Sequence, residues 1–497
     1  MSGPSINTAI AMALIVYGAV LVLIAWVSVR RVRSPRDFFV AGRRVGLWVV
    51  ALSTMSTAFS GFVFLGGPGL TYRIGLASMW ISLPLGFTAG LLCWVSGRQL
   101  RRLAGRHEIF TIPDAIAVRF DHPPATRLAA LAVAAGSIAY LGLQIRALGI
   151  LGTGLLGLDS PLPVMLIGLA IIVAYSVGGG MVAGVYTDLF QGLWMLTVAL
   201  LLGLLAIRAP GGVVRIGETL AVAAEFGESF VDPRLGGRAM LMLGFFMVFG
   251  VGVLGQPQML HKFFMVRDEV QLRFMPVILG GSQAICLLIW FGIGLAVPAL
   301  VAQGAMTAPS PVDHASPEFL RQQTPTLLGG LAVAGILAAI MSTADTFLHL
   351  AATALVRDLP RSFRRPVSNE MRAVRWLLPV VGLVAAAFAI WFGDLIAILG
   401  AFAFGTFAAA LMPVMAIGFH WRRVEGRAVS ASIATGLSVH LGLELLNRQT
   451  VFPGWVPPLA PGVMPAAIAM AASMLVLIVV TGVRTPRAAS GLVSSRS

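Results

Sequence analysis

Long apolar runs alternate with short polar connections along this chain, and the runs are longer than the packing helices of soluble domains. About 20 residues at a 1.5 Å rise cover the hydrocarbon core of a bilayer, so apolar stretches of roughly 17–25 residues read as spanning helices. Thirteen can be marked, at about 6–28, 46–70, 75–97, 125–149, 162–178, 183–207, 238–259, 274–300, 327–353, 373–394, 397–419, 429–447 and 463–483. They predict an all-α integral membrane protein with about 13 transmembrane helices. The first stretch reads as a helix and not as a secretory signal, because it lacks a basic leading region and is followed by arginines.

Two stretches are interrupted. The second reads ALSTMSTAFSGFVFLGGPG, with Ser53, Thr54, Ser56, Thr57, Ser60 and Gly61 in its middle; the seventh reads MVFGVGVLGQPQ, with Gly250, Gly252, Gly255, Gln256 and Pro257. Irregular backbone inside a bilayer is tolerated where it is buried in protein or lines a cavity. The two breaks lie five stretches apart and run in opposite directions, the pattern of a five-helix unit repeated upside down with binding sites where the broken helices meet. The ninth stretch, GILAAIMSTADTFLHLAATALVRDL, sets Ser342 and Thr343 side by side near its centre. Sodium needs about five oxygens, and two hydroxyls plus carbonyls freed by a broken helix can supply them.

Composition agrees with this picture and sharpens it. The chain is 58% hydrophobic and 11% charged, with a mean hydropathy of +0.90, whereas soluble domains carry about 25% charge. A formal net charge of +15 raises the question of nucleic acid, and the distribution of the bases answers it. Of 35 Lys and Arg residues, 27 fall in one alternating set of connections and 7 in the other, with Arg146 alone inside a stretch. That bias sets topology, placing the N-terminus outside and the C-terminus in the cytoplasm of a multi-pass protein of the cell inner (plasma) membrane. The arginine runs at 98–102 and 361–365 read as topology determinants and contacts for anionic lipid, with no nucleic-acid partner implied. Cys93 and Cys286 lie far apart within stretches and read as small buried residues, and neither HExxH nor a metal-spaced His/Cys cluster is visible, so no enzyme and no cofactor are expected.

The ionisable residues inside the stretches are Arg146, Asp188, Asp345, His349, His440 and Glu444. Such residues are costly in a membrane and mark function by default. Asp188 and Asp345 are the candidates for coupling or gating, whereas His440 and Glu444, four residues apart, can pair with each other.

Five segments resemble the sodium:solute symporter family, most closely its sodium/proline branch. They are RRVRSPRDFFVAGRRVG, the second stretch, EIFTIPDAIAVRF, GGGMVAGVYTDLFQG, and GQPQMLHKFF with AAIMSTADTFL. The resemblance implies a leucine-transporter-type five-plus-five inverted repeat and alternating access driven by sodium, with uptake of a small organic solute such as proline, another amino acid or a carboxylate. The implied organisation is an N-terminal helix and basic loop (1–45), a first repeat (46–208), a second repeat (238–419) and two C-terminal helices with a tail (420–497). The implied sodium ligands are the carbonyls of Ser56, Phe59 and Ala339 and the hydroxyls of Ser342 and Thr343. The implied solute site contains Gly61, Phe62, Tyr140, Phe249 and Gln256. Two positions depart from the proline branch: Ala58 stands where that branch has an aspartate, and Val253 where it has an aromatic gate. The alternatives are a proton-coupled symporter and a solute sensor built on a transporter fold. Since only fifteen residues follow Gly482, a sensor would have to signal through a separate partner.

Overall fold

The computed structural model describes residues 6–483 except 31, 33, 235–238, 394, 449–458 and 460–462. Arg31, Arg33, Arg238, Arg484, Arg487 and Arg496, which entered the topology count, lie outside the described residues. Among the described residues all regular elements are helical, apart from one isolated bridge between Val45 and Val266. Among the described residues eleven helices are long and apolar enough to cross a membrane, and two shorter apolar helices, Leu47–Ala58 and Leu162–Val177, accompany them.

The thirteen stretches agree with these helices in place but not always in length. The second stretch stops at Ala58 and resumes at Phe62, from which a helical run continues to Arg106 through a turn at Gly75. The fifth and sixth form one run, Leu162–Arg208, bent at Gly180 (φ 53°, ψ −159°). A β-carbon there would sit 2.5 Å from the Phe38 ring, so the bend needs glycine both for its left-handed φ and for the close approach of Phe38.

Burial separates inner helices from outer ones. The fourth, ninth and eleventh spans are about four-fifths enclosed (78%, 78% and 83%), whereas the first is 18% buried and leaves its apolar side to lipid. The inner helices approach closely through small residues such as Gly136, which packs on Phe407, and Gly142, which packs on Ala385.

On the arginine-rich face, Arg357 is fully buried and pairs with Asp114 at 2.7 Å, Asp358 at 2.8 Å and Glu370 at 3.2 Å. This cluster ties the short helix Ile112–Phe120 to the end of the ninth span and the start of the tenth. Arg43 donates to the carbonyls of Ala104 and Ile109, and Arg101 to that of Val266 at 2.8 Å. On the opposite face the connection between the eighth and ninth spans folds inward. Ser316 donates to the Phe64 carbonyl at 2.8 Å, and Asp313 accepts the Ile396 N–H at 2.9 Å, capping the eleventh span.

Candidate functional site

The two interruptions meet at the centre of the bundle. In the second span Phe59 leaves helical geometry (φ −95°, ψ 91°), and the Gly61 N–H, which a continuous helix would direct to the Thr57 carbonyl, goes instead to Gln144 Oε1 at 3.0 Å. In the seventh, a π-turn at Phe246–Val251 and a 3-10 turn at Gly252–Gly255 lead to Gln256, whose backbone is extended (φ −78°, ψ 107°). Phe62 and Phe249 stack across the gap at 5.6 Å.

The ninth span is helical from Thr326 to Thr353 and runs past the first break. Ser342 Oγ donates to the carbonyls of Ser56 (3.0 Å) and Ala339 (3.2 Å), and Thr343 Oγ1 to those of Thr57 (3.3 Å) and Ala339 (3.0 Å). Two hydroxyls and three carbonyls therefore cluster where the backbone ladder of the second span is open. Of the residues the resemblance implies, Ser56, Ala339, Ser342 and Thr343 lie together, and Phe59 stands at the break itself. Thr57 was absent from the expected set: the sequence carries its hydroxyl, but its carbonyl is freed by the diversion of the Gly61 N–H.

A cavity adjoins this oxygen cluster. Phe59, Phe62, Tyr140, Phe249, Trp290 and Phe404 form its aromatic walls, and Ala58, Val63 and Ile81 complete the apolar lining. None of its lining residues carries a charge. Of the expected solute residues, Phe62, Tyr140 and Phe249 line it. Gly61 and Gln256 are not among the lining residues: Gly61 packs on Ala147, and Gln256 is fully buried with its amide bonded to the Phe404 carbonyl at 3.0 Å and to Gln258. Gln256 Nε2 thereby ties the break to the eleventh span.

Two polar side chains at the cavity were not foreseen. Ser82 Oγ and Gln283 Oε1 are buried without a hydrogen-bond partner, while Gln283 Nε2 holds the Ser82 carbonyl at 2.9 Å. A serine and a glutamine within uninterrupted apolar helices leave no pattern that distinguishes a ligand contact from an ordinary helix contact.

The carboxylates have specific partners. Asp188 Oδ2 accepts from Lys262 Nζ at 2.8 Å and from Ser53 Oγ at 2.7 Å, with the lysine and aspartate side chains 1% and 2% exposed. Lys262, counted from sequence among the bases in a connection, is thus inside the bundle: the seventh span continues to Phe264, and the buried carboxylate supplies the charge that holds the ammonium out of water. Asp345 accepts from Ser176 and lies 3.6 Å from His349 Nε2. His440 engages the Phe402 carbonyl at 3.0 Å, and the two cysteines are buried and free.

A model of the sodium:solute symporter family matches residues 38–436, which include both breaks and the oxygen cluster. The chain belongs to the sodium:solute symporter family. This symporter is 26% identical over 475 residues to the osmoregulated proline transporter OpuE of Bacillus subtilis, covering 91% of this chain and 93% of that one. It is 26% identical to the sodium/proline symporter of Escherichia coli (91% of each chain) and 25% identical to the sodium/pantothenate symporter of Haemophilus influenzae (84% and 87%). Among solved structures, a Na+-coupled sialic acid symporter in a substrate-bound outward-open state superposes with a TM-score of 0.76 at 18% identity, covering 97% of this chain and 99% of that one. A nucleobase-cation-symport-1 family transporter in a closed conformation gives 0.53 at 15% identity, with 90% and 94% covered. These two likenesses show a shared all-helical fold. The protein is a sodium-coupled symporter of a small organic solute, a multi-pass membrane protein and not an enzyme.

Proposed function

We propose that sodium binds at the oxygen cluster of Ser56, Thr57, Ala339, Ser342 and Thr343, with Phe59 at the break, and that the solute occupies the adjoining aromatic cavity. The observation that carries the reading is the contact of two hydroxyls on one unbroken helix with carbonyls opened by the break of another. Sodium would replace those hydroxyl protons as the partner of the carbonyls and fix the second span against the ninth. Ala58 and Phe59 belong both to this break and to the cavity wall, so the ion orders the wall that the solute meets. Binding is then reciprocal: whatever sodium adds to solute affinity, the solute adds to sodium affinity.

The neutral, aromatic cavity supports a compact zwitterion with an apolar body. An ammonium gains from aromatic faces and from the Gln283 Oε1 acceptor, and a carboxylate from the Ser82 hydroxyl. Proline and small amino acids fit that chemistry, and proline is the solute named for the relatives in Bacillus subtilis and Escherichia coli. In this reading the thirteen spans form five-plus-five inverted repeats (46–208 and 238–419), flanked by an N-terminal helix and basic loop (1–45) and by two C-terminal helices with a tail (420–497). The N-terminus is outside, the arginine-rich face is cytoplasmic beside anionic lipid, and rocking of the repeats exposes both ligands inward.

Uptake of radiolabelled proline and a panel of small amino acids and carboxylates into proteoliposomes tests the reading, with sodium and pH gradients applied separately. Accumulation driven by sodium alone is expected. Accumulation driven only by protons would move the coupling role to Asp345, which pairs with His349, and solute binding without accumulation would make the protein a sensor.

A further inference from the structure

Asp188 lies in the sixth span, yet one of its oxygens holds two other elements. Oδ2 receives the hydroxyl of Ser53, in the cytoplasmic half of the broken second span, and the ammonium of Lys262, in the cytoplasmic half of the broken seventh. Both half-helices are therefore tied to one carboxylate, in a site from which water is excluded. Ser53 precedes Ser56 by three residues, less than one helical turn, and the Ser56 carbonyl receives Ser342. The half-helix that Asp188 grips is thus the one that carries the sodium ligands.

We propose that the Lys262–Asp188–Ser53 junction is an inner latch that keeps the cytoplasmic side closed in concert with sodium. Lys262 acts as a positioning residue, through Asp188 and the half-helix, without touching either transported ligand. A buried ion pair suits such a role. Its attraction is large only while water is excluded, and when the half-helices part both charges are rehydrated, so the energy lost on opening is largely recovered. The latch and the sodium ion hold the same half-helix, one from the sixth span and one from the ninth. Removing the latch leaves the ion to close the inner side alone, and part of its binding energy is consumed in that closure; apparent sodium affinity falls accordingly.

The inference rests on the sodium position proposed above, and the experiment separates the two. Full-length protein in proteoliposomes carries Thr353→Cys, a position buried beside His261 and His349 in a cavity near the arginine-rich face, and is exposed to an impermeant maleimide from the cytoplasmic side. In the parent, sodium is expected to slow labelling. In K262Q, labelling without sodium should be faster than in the parent, and about tenfold more sodium should be needed to slow it; K262R, which keeps the charge, should stay close to the parent. If K262Q does not fold, S53A carries the same test with a shift of roughly threefold. Sodium-free labelling in K262Q or S53A that is no faster than in the parent overturns the latch, whatever happens to K0.5, because a merely structural lysine would lower affinity without opening the inner side. If S342A and T343V leave the sodium K0.5 unchanged while K262Q raises it and opens the inner side, the sodium position fails and the latch stands.

Discussion

Replacing Ser342 by alanine or Thr343 by valine removes one of two hydroxyls from the oxygen cluster while changing the packing little. A polar contact to a charged group contributes about 1.5–3 kcal/mol, against about 0.5–1.5 kcal/mol for a neutral one. Without the ion, Ser342 Oγ donates to the Ser56 and Ala339 carbonyls, and Thr343 Oγ1 to Thr57 and Ala339, so each substitution also weakens the ion-free form. The difference leaves roughly 1–2 kcal/mol against sodium, a rise in sodium K0.5 of about 5- to 30-fold at 1.4 kcal/mol per tenfold. The assay is initial uptake of labelled solute into proteoliposomes at fixed solute and varied external sodium. Thr346→Val is the internal control, since its hydroxyl returns a bond to the Ser342 carbonyl at 3.2 Å along its own helix; its sodium K0.5 should stay within about twofold. Unchanged sodium dependence in both S342A and T343V, with a shift in T346V, would refute the assignment and move the ion one turn along the ninth span.

Three further outcomes follow from particular contacts. Gln283→Leu and Ser82→Ala should raise the solute KM about tenfold with little change in sodium K0.5, because each removes a partnerless polar atom from the cavity wall; competition between labelled and unlabelled solute checks this. Arg357→Met leaves Asp114, Asp358 and Glu370 around an empty centre and should cost about 3–5 kcal/mol, seen as a large drop in Tm in detergent. Asp313, in the connection before the ninth span, has its carboxyl pushed up to about 6 by burial, against the lowering effects of the Ile396 N–H, Arg146 and Arg73. Its folded value lies above the ordinary 3.8, so its contribution to stability is full below about pH 4 and is lost as pH rises through about 6. Asp313→Asn keeps an acceptor for Ile396 without the charge; its Tm should exceed the parent's at pH 7 and converge on it toward pH 4, and a gap that does not change with pH would count against the assignment.

Where the apolar helices lie and which two are broken were legible in the chain. Apolar length is dictated by bilayer thickness, and hydroxyls, glycines and carboxylates within apolar runs stand out against lipid. Breaks at Phe59–Gly61 and Gly252–Gln256 were readable for that reason, as was the adjacency of Ser342 and Thr343 on one helix. Contacts between distant helices were not. The partners of Asp188, the role of Thr57 and the placement of Ser82 and Gln283 in the cavity depend on how helices far apart in sequence cross.

Gln256 and Lys262 show the division most clearly. In the sequence, a glutamine at a break reads as a ligand and a lysine after an apolar run reads as a solvated base. In the tertiary structure the glutamine amide closes on Phe404 and the lysine turns inward to Asp188. The sequence by itself determined the membrane-spanning architecture, because burial in lipid acts on each helix separately; symport was legible only through the resemblance of its motifs to a known family. Only the tertiary structure decided which polar atoms satisfy one another and which stay without a partner, because that depends on where every other helix places its own donors and acceptors.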